Sequence, residues 1–462
     1  MAFMWKQHEV KEYFPDIGRI KYDPKAEKAL AFREYNADEV ILGKPMREWC
    51  RFAVCYWHTF GGSGSDPFGP AGTFINRSWN DCERNVVNMD EKDPSRCVEM
   101  VEAAKCKADA AFELFVKLGV DFYTFHDRDV IGEGSNMRET TVMFQEVVRY
   151  MKKKQSETGV KCLWGTANLF SHRRFMNGAL TNPDVDAFVR AAKYVKEAME
   201  MTVQLGGANF VFWAGRDGYQ TLLNTDLRHE LDQMAAFYKM VVEFKKTLSA
   251  PLQLLIEPKP CEPTKHQYDY DAATVMAFLD RYGLEDDFKL NIEPNHTTLA
   301  GHEYEHDICY AAAYNMLGSI DCNTGDPMLG WDTDQFLTDD RKATLVMKQV
   351  IEMGGLAPGG LNFDAKVRRE STDLKDIFIA HIGSMDCFAR GLRRAAAMIE
   401  KNELSALVKT RYASWDSDLG RQILTQRTTL TDLSKLADAS DDVKQSSGQQ
   451  ELYELMLSRA LR

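Results

Sequence analysis

The feature that most restricts the fold is an eightfold alternation: a short β-rich run ending in a polar or aromatic residue, a stretch of helical periodicity, then the next run. The runs are Arg51–Trp57, Val120–His126, Val160–Trp164, Asn209–Trp213, Leu252–Glu257, Phe288–Glu293, Leu317–Asp321 and Leu361–Asp364. Between the ends of the last six there is room for a loop, a helix of three to five turns and a return, the spacing of βα units. The intervening segments carry matching helical faces. Val185, Phe188, Ala192, Val195, Met199 and Val203 step by three or four, as do Ala343, Val346, Val350 and Met353. Eight such units predict an α/β chain closed into a TIM (β/α)8 barrel, with reacting groups at the C-terminal ends of the strands. An open doubly wound sheet is the alternative. The chain has neither a Gly-x-Gly-x-x-Gly after an early strand nor a Gly-x-x-x-x-Gly-Lys-Ser/Thr, so no dinucleotide or nucleoside triphosphate is indicated.

No linker or charge run divides the 462 residues. The expected organisation is an N-terminal lead segment over 1–50, the catalytic barrel over 51–372 and a C-terminal extended helical arm over 373–462. Apolar residues are too thinly spread in the arm to form a separate core, so it is expected to lie on the barrel and on a neighbouring subunit. The net charge of −12 repels polyanions, which argues against nucleic acid as a partner. No apolar run reaches membrane-spanning length, and Met1–Lys6 lacks the apolar stretch of a signal peptide; the expectation is no membrane partner and a cytoplasmic location. The ten cysteines form no Cys-x-x-Cys pair and are expected to be small buried apolar groups.

Four successive strands end in carboxylates: Glu257, Glu293, Asp321 and Asp364. At the mouth of a barrel these groups would repel one another strongly, and a cation is the natural compensation. His296 follows Glu293 by three residues, and Asp332 and Asp334 follow the Gly330-Trp331 turn. Six carboxylates and one imidazole, without a thiolate, suit Mg²⁺ or Mn²⁺, with Co²⁺ possible. Seven ligands are too many for one ion and right for two that share a bridging Glu. Any one of these acids could simply cap the next helix; all of them at one end of the barrel would be a repeated coincidence.

His126 ends the second run, with Asp129 placed to orient its ring for proton transfer. Lys259, between Pro258 and Pro260, is suited either to hold a substrate oxygen or to act as a counter-ion to the carboxylates. Trp57, Trp164 and Trp213 end the first, third and fourth runs, where broad apolar faces would line a pocket and stack on sugar C–H faces. Core packing is the alternative for each.

The stretches Phe125–Asp129, Trp164–His172, Ile256–Gln267, Asn291–His302, Gly318–Asp321, Gly330–Asp334 and Asn362–Arg368 resemble xylose isomerases, in the branch with the longer N-terminal segment (class II). The resemblance runs from about Ala31 into the arm. It implies interconversion of D-xylose and D-xylulose, and more slowly of D-glucose and D-fructose, by a hydride shift on the open-chain sugar in a homotetramer of TIM barrels with two divalent cations per subunit. It assigns Glu257, Glu293, Asp321 and Asp364 to a structural ion, and Glu293, His296, Asp332 and Asp334 to a catalytic one. It further implies ring opening by His126 with Asp129, a hold on the carbonyl oxygen by Lys259, and a Phe68 lent to an adjacent subunit's pocket. Ala214, Asp217 and Thr324 depart from the Gly, Glu and Arg usual beside these motifs. The rival functions are a metal-dependent sugar epimerase or hydrolase on the same barrel, and a non-catalytic sugar- or metal-binding protein.

Overall fold

The structure is a computed structural model that describes residues 3–61, 77–81, 86, 89–90 and 93–462. Eight parallel strands close into a barrel in sequence order: β1 (Phe52–Cys55), β2 (Phe122–His126), β3 (Lys161–Thr166), β4 (Asn209–Phe212), β5 (Gln253–Ile256), β6 (Phe288–Ile292), β7 (Leu317–Asp321) and β8 (Leu361–Phe363). β8 pairs with β1, with Leu361 opposite Phe52, and that pairing completes the closure. Eight helices follow the strands in turn: α1 (Pro94–Leu118), α2 (Met137–Thr158), α3 (Val185–Gln204), α4 (Leu227–Lys245), α5 (Ala272–Tyr282), α6 (His306–Ala313), α7 (Asp340–Glu352) and α8 (Leu374–Lys401). A barrel of this kind leaves no open sheet edge, so all of its strands can be strongly apolar.

Local sequence sets the helix ends. Asn136 accepts a hydrogen bond from the Glu139 N–H at the start of α2, and Gly159 ends that helix at φ +80°, a conformation that a Cβ would strain. Asp373 and Asp376 form a reciprocal cap at the start of α8. Most of the core lies between strands and helices, while Ala53, Leu163, Trp164, Val211 and Leu255 fill the barrel interior.

Three expectations shift. Glu257, Glu293 and Asp364 lie one residue beyond their strands, whereas Trp164 lies inside β3 and packs within the barrel. The buried face of α3 runs through Ala187, Ala191, Tyr194, Val195, Ala198 and Thr202, and Val185 is 69% exposed. The expected stripe was rotated by about one residue because alanines, weak in a hydrophobic pattern, mark the close approach to the barrel. Finally, α8 buries fifteen residues and is the eighth barrel helix, although it lies within the expected arm. The later helices Glu403–Arg411, Leu430–Asp438 and Gln450–Ala460 bury none.

The lead segment is packed rather than loose. Phe14, Ile17, Phe32, Met46 and Trp49 are buried, and Asp386 of α8 accepts hydrogen bonds from the backbone N–H groups of Arg33, Glu34 and Tyr35 at 2.8–3.0 Å. Of the nine described cysteines, seven are buried, and Cys261 and Cys309 are half-buried. Among the described residues, no helix is long and apolar enough to cross a membrane.

Candidate active site and metal centre

The C-terminal ends of the strands surround a cavity of about 190 Å³ lined by Trp57, His126, Trp164, Trp213, Glu257, Lys259, Glu293, His296, Asp332, Asp334 and Asp364, with His58, Thr166, Phe170 and Val211. Asp321 lies below them, fully buried. Phe68 falls outside the described residues.

A carboxylate cluster of this density survives only if each group is held. Asn291, inside the barrel on β6, donates from Nδ2 to Glu257 Oε2 at 2.9 Å and to Asp321 Oδ2 at 2.8 Å. Asn362 on β8 donates to Asp321 Oδ1 at 2.7 Å, and its own Oδ1 accepts from Thr124 Oγ1 at 2.8 Å. Asn323 donates to Glu293 Oε1 and to the Asp364 carbonyl, both at 2.7 Å. Trp57 Nε1 donates to Asp364 Oδ1 at 2.9 Å, and His58 Nε2 stands 2.6 Å from the same oxygen. The neutral amides supply N–H groups without supplying charge, so they fix the oxygens while leaving the repulsion among them in place.

That repulsion appears in the proton affinities. Burial, and then the charges of Asp321 and Asp364, push Glu257 well above the usual carboxylate range. Burial, followed by Asp332, Asp364 and Asp334, does the same to Glu293; burial and Asp364 raise Asp321. Asp334 rises to about 7 through burial and the neighbouring Asp332, in spite of Lys366 Nζ at 3.0 Å from its Oδ2. Two acids go the other way. Burial would raise Asp332, but Lys259 Nζ at 2.6 Å and His296 hold it well below the ordinary value. Burial would raise Asp364 too, and is outweighed by His58 and the Trp57 indole N–H.

His296 is oriented by a contact between Nδ1 and the Pro258 carbonyl at 3.1 Å, which leaves Nε2 3.2 Å from Glu293 Oε2 and 3.3 Å from Asp332 Oδ2. Burial, then the Lys259 charge, lowers its proton affinity and favours the neutral ring that ligates metal. One donor atom each from Glu257, Glu293 and His296 lies within 4.8 Å of the others, and the same is true of Glu293, Asp321 and Asp364. Glu293 is common to both groups. Acids crowded here must either take up protons or be paired with cations, and an oxygen-rich donor set with one imidazole fits a hard divalent ion.

The opposite wall is aromatic. Ring centroids run Trp164 to Trp57 at 5.6 Å, Trp57 to His126 at 4.4 Å, His126 to Phe170 at 5.6 Å and Phe170 to Trp213 at 4.5 Å. His126 Nδ1 is 2.7 Å from Asp129 Oδ2; burial opposes the charged ring, but Asp129 outweighs it and raises the proton affinity. The positions expected from the sequence, Phe68 aside, thus converge, with Asp129 behind His126 and Asp321 beneath the cavity floor. Six participants carry no mark in the sequence reading: His58, Phe170, Asn291, Asn323, Asn362 and Lys366. His58 directly follows a strand-end Trp, which is a usable signal. The amides carry none, since an Asn in a sequence does not announce that its carboxamide faces a carboxylate.

Known proteins resemble this chain over nearly all of its length. Residues 112–343 match the family described as Xylose isomerase-like TIM barrel, and residues 408–461 match the XylA2 C-terminal domain. A xylose isomerase of Arabidopsis thaliana is 51% identical over 451 residues, covering 97% of this chain and 91% of the relative. One from Actinobacillus pleuropneumoniae is 49% identical over 451 residues (97% and 99%), and one from Rhizobium rhizogenes is 51% identical over 449 residues (97% and 99%).

Proposed function

Since the chain belongs to the xylose isomerase family, we propose that this aldose–ketose isomerase interconverts D-xylose and D-xylulose, and more slowly D-glucose and D-fructose, by a hydride shift on the open-chain sugar. The observation that carries the reading is the cavity itself, with a buried carboxylate cluster on one wall and an aromatic arc on the other.

One divalent ion falls to Glu257, Glu293, Asp321 and Asp364, and a second to Glu293, His296, Asp332 and Asp334, with Mg²⁺, Mn²⁺ or Co²⁺ suited to both. When bound, such ions chelate sugar hydroxyls and polarise the carbonyl. The chain's own groups do the rest. His126, with Nδ1 taken by Asp129, has Nε2 left to move a proton at the ring oxygen during ring opening. Lys259, fixed by Asp332, presents its ammonium to the carbonyl oxygen. Trp57, Trp164 and Trp213 stack on the carbon skeleton and keep water from C1 and C2. The exposed Val408, Trp415, Leu430 and Leu455 of the arm support assembly into a homotetramer, which we take to be cytoplasmic, and sedimentation of a fully active monomer would break that part of the reading.

The deciding experiment is incubation of chelator-stripped protein with C2-deuterated D-xylose and each ion in ordinary water. Xylulose that keeps its deuterium at C1 is expected. Ketose with the label washed out would assign the hydrogen transfer to a base. An absence of ketose with every ion would remove the isomerase reading in favour of an epimerase, a hydrolase or a binding protein.

A further inference from the structure

A second set of metal-ligand side chains lies outside the barrel mouth, where α6 begins. His302 follows the short helix Pro294–Leu299, and His306 and Asp307 open α6. One donor atom from each of these three side chains lies within 4.8 Å of the other two. The two imidazoles stack at 4.1 Å with 14° between their planes. A fourth donor comes from the neighbouring helix: Asp271, the N-cap of α5, has Oδ2 3.1 Å from His302 Nε2. His306 Nδ1 is 3.0 Å from Asp307 Oδ1.

We propose that Asp271, His302, His306 and Asp307 form a separate binding site for a borderline transition cation of the Zn²⁺ class, which ties α5 to α6. The donor chemistry sets the ion. Two imidazoles with two carboxylates favour Zn²⁺, Ni²⁺ or Cu²⁺ over the hard ions that suit the oxygen-rich barrel mouth. Nitrogen and oxygen donors each about 2.0–2.2 Å from one ion stand roughly 3 Å apart when the angle between them is near a right angle. The observed contacts of 3.0 and 3.1 Å, now bridged by a proton, already have that spacing. The accessibility is graded in the useful sense: the His306 and His302 side chains are 41% and 28% exposed, above Asp271 at 14% and Asp307 at 3%. An ion arriving from solvent meets the imidazoles first and settles on a carboxylate floor.

The test uses the full chain in excess Mg²⁺, so that hard-ion sites are filled, and titrates Zn²⁺ into wild type, His306→Gln and the His302→Gln/His306→Gln pair. Wild type is expected to hold one more Zn²⁺ per chain than the double variant, with the affinity of that ion reduced about tenfold or more in His306→Gln. Replacement of Mg²⁺ at the barrel mouth is common to all three proteins and cancels in the difference. With Cu²⁺ as probe, the extra site should give a spin-resonance pattern from two imidazole nitrogens that the double variant lacks. Equal Zn²⁺ stoichiometry and affinity in wild type and the double variant overturns the proposal. Should the double variant not fold, unchanged Zn²⁺ binding in His306→Gln, altered only at an exposed side chain, overturns it equally.

Discussion

The two halves of the barrel mouth are built from opposite materials. Strands β1 to β4 bring Trp57, His126, Trp164 and Trp213, and the segment after β3 adds Phe170; strands β5 to β8 bring Glu257, Glu293, Asp321 and Asp364. On the aromatic side most of the order comes from ring packing, and the indole N–H groups of Trp164 and Trp213 have no hydrogen-bond partner among the described residues, which leaves two donors at the cavity wall. On the acidic side order comes from a scaffold of amides that tolerates, without cancelling, strong mutual repulsion. One half is stable as it stands, whereas the other is complete only with protons or cations. Changes on the acidic side should therefore act through ion binding, and changes at Trp164 and Trp213 through contact with substrate; Trp57, which donates to Asp364, links the two halves.

The largest effect is expected at Glu293, which belongs to both ligand groups. Glu293→Gln keeps the volume and removes one negative charge from each proposed ion. Ketose formation should fall on the order of 10³-fold or more, and elemental analysis should find fewer ions per chain. Activity near that of wild type would end the two-ion reading and blur the contrast between the halves.

Asn323 sharpens the comparison because it carries no charge. Its carboxamide holds Glu293 Oε1 and the Asp364 carbonyl from the short strand Asn323–Thr324 that follows β7. Asn323→Ala should weaken divalent-ion affinity by about 10–100-fold, the range for a lost outer partner of a metal ligand. Calorimetric titration of the stripped protein measures this without reference to turnover, and unchanged affinity would show that the carboxylates organise themselves.

Much of this contrast was legible before any coordinates. The eight runs, their closed parallel arrangement and the acidic strand ends all follow from local pattern, because a buried parallel strand must be apolar and a carboxylate at its end is chemically conspicuous. Legibility failed where the signal is relational. Asn291, Asn323 and Asn362 matter only through what they face. His58 has a local signal in its place beside a strand-end Trp, but its partner, Asp364, lies more than three hundred residues away in sequence and 2.6 Å away in the fold. α8 and the arm read alike in sequence because both are helical; its fifteen buried residues, not its periodicity, make α8 a barrel helix. The stripe on α3 was misplaced because Ala187, Ala191 and Ala198 pack closely while contributing little to a hydrophobic pattern.

The third prediction concerns pH and applies to the ion-free protein. Asp334, raised to about 7, and Glu257, Glu293 and Asp321, raised well above their ordinary values, bind protons more tightly folded than unfolded. Such groups add stability at low pH that is lost as pH climbs through the folded value. Asp332 and Asp364 are depressed, so their contribution is already complete above the unfolded value near 4 and adds no slope at higher pH. The stripped protein should therefore melt at a progressively lower temperature from pH 6.5 to 8, above the range in which the lowered His296 and His381 gain stability with rising pH. Saturating Mn²⁺ should flatten or reverse that slope, since the ion takes the place of the protons. A stripped protein whose melting temperature rises over this interval would mean that the acidic half is not held together by protonation.

The smallest effect is expected on the aromatic side, at Trp213. Its ring carries the Lys259 ammonium 5.1 Å from the centroid and packs edge-on against Phe170. Trp213→Phe keeps a ring but gives up the unpaired indole N–H and part of the face. Lys259 stays anchored, because its stronger contact is the 2.6 Å ion pair with Asp332 on the other wall. The cation–ring attraction at stake is about 1 kcal/mol, roughly a fivefold change in an equilibrium or rate constant. If the wall only contacts the carbon skeleton, equally before and during reaction, KM for xylose should rise by about that factor while kcat stays within about twofold. Divalent-ion affinity, measured on the same sample, should not move. A drop confined to kcat would instead show that the ring positions Lys259 for the chemical step, and a loss of ion affinity would show that the two halves of the mouth are mechanically one.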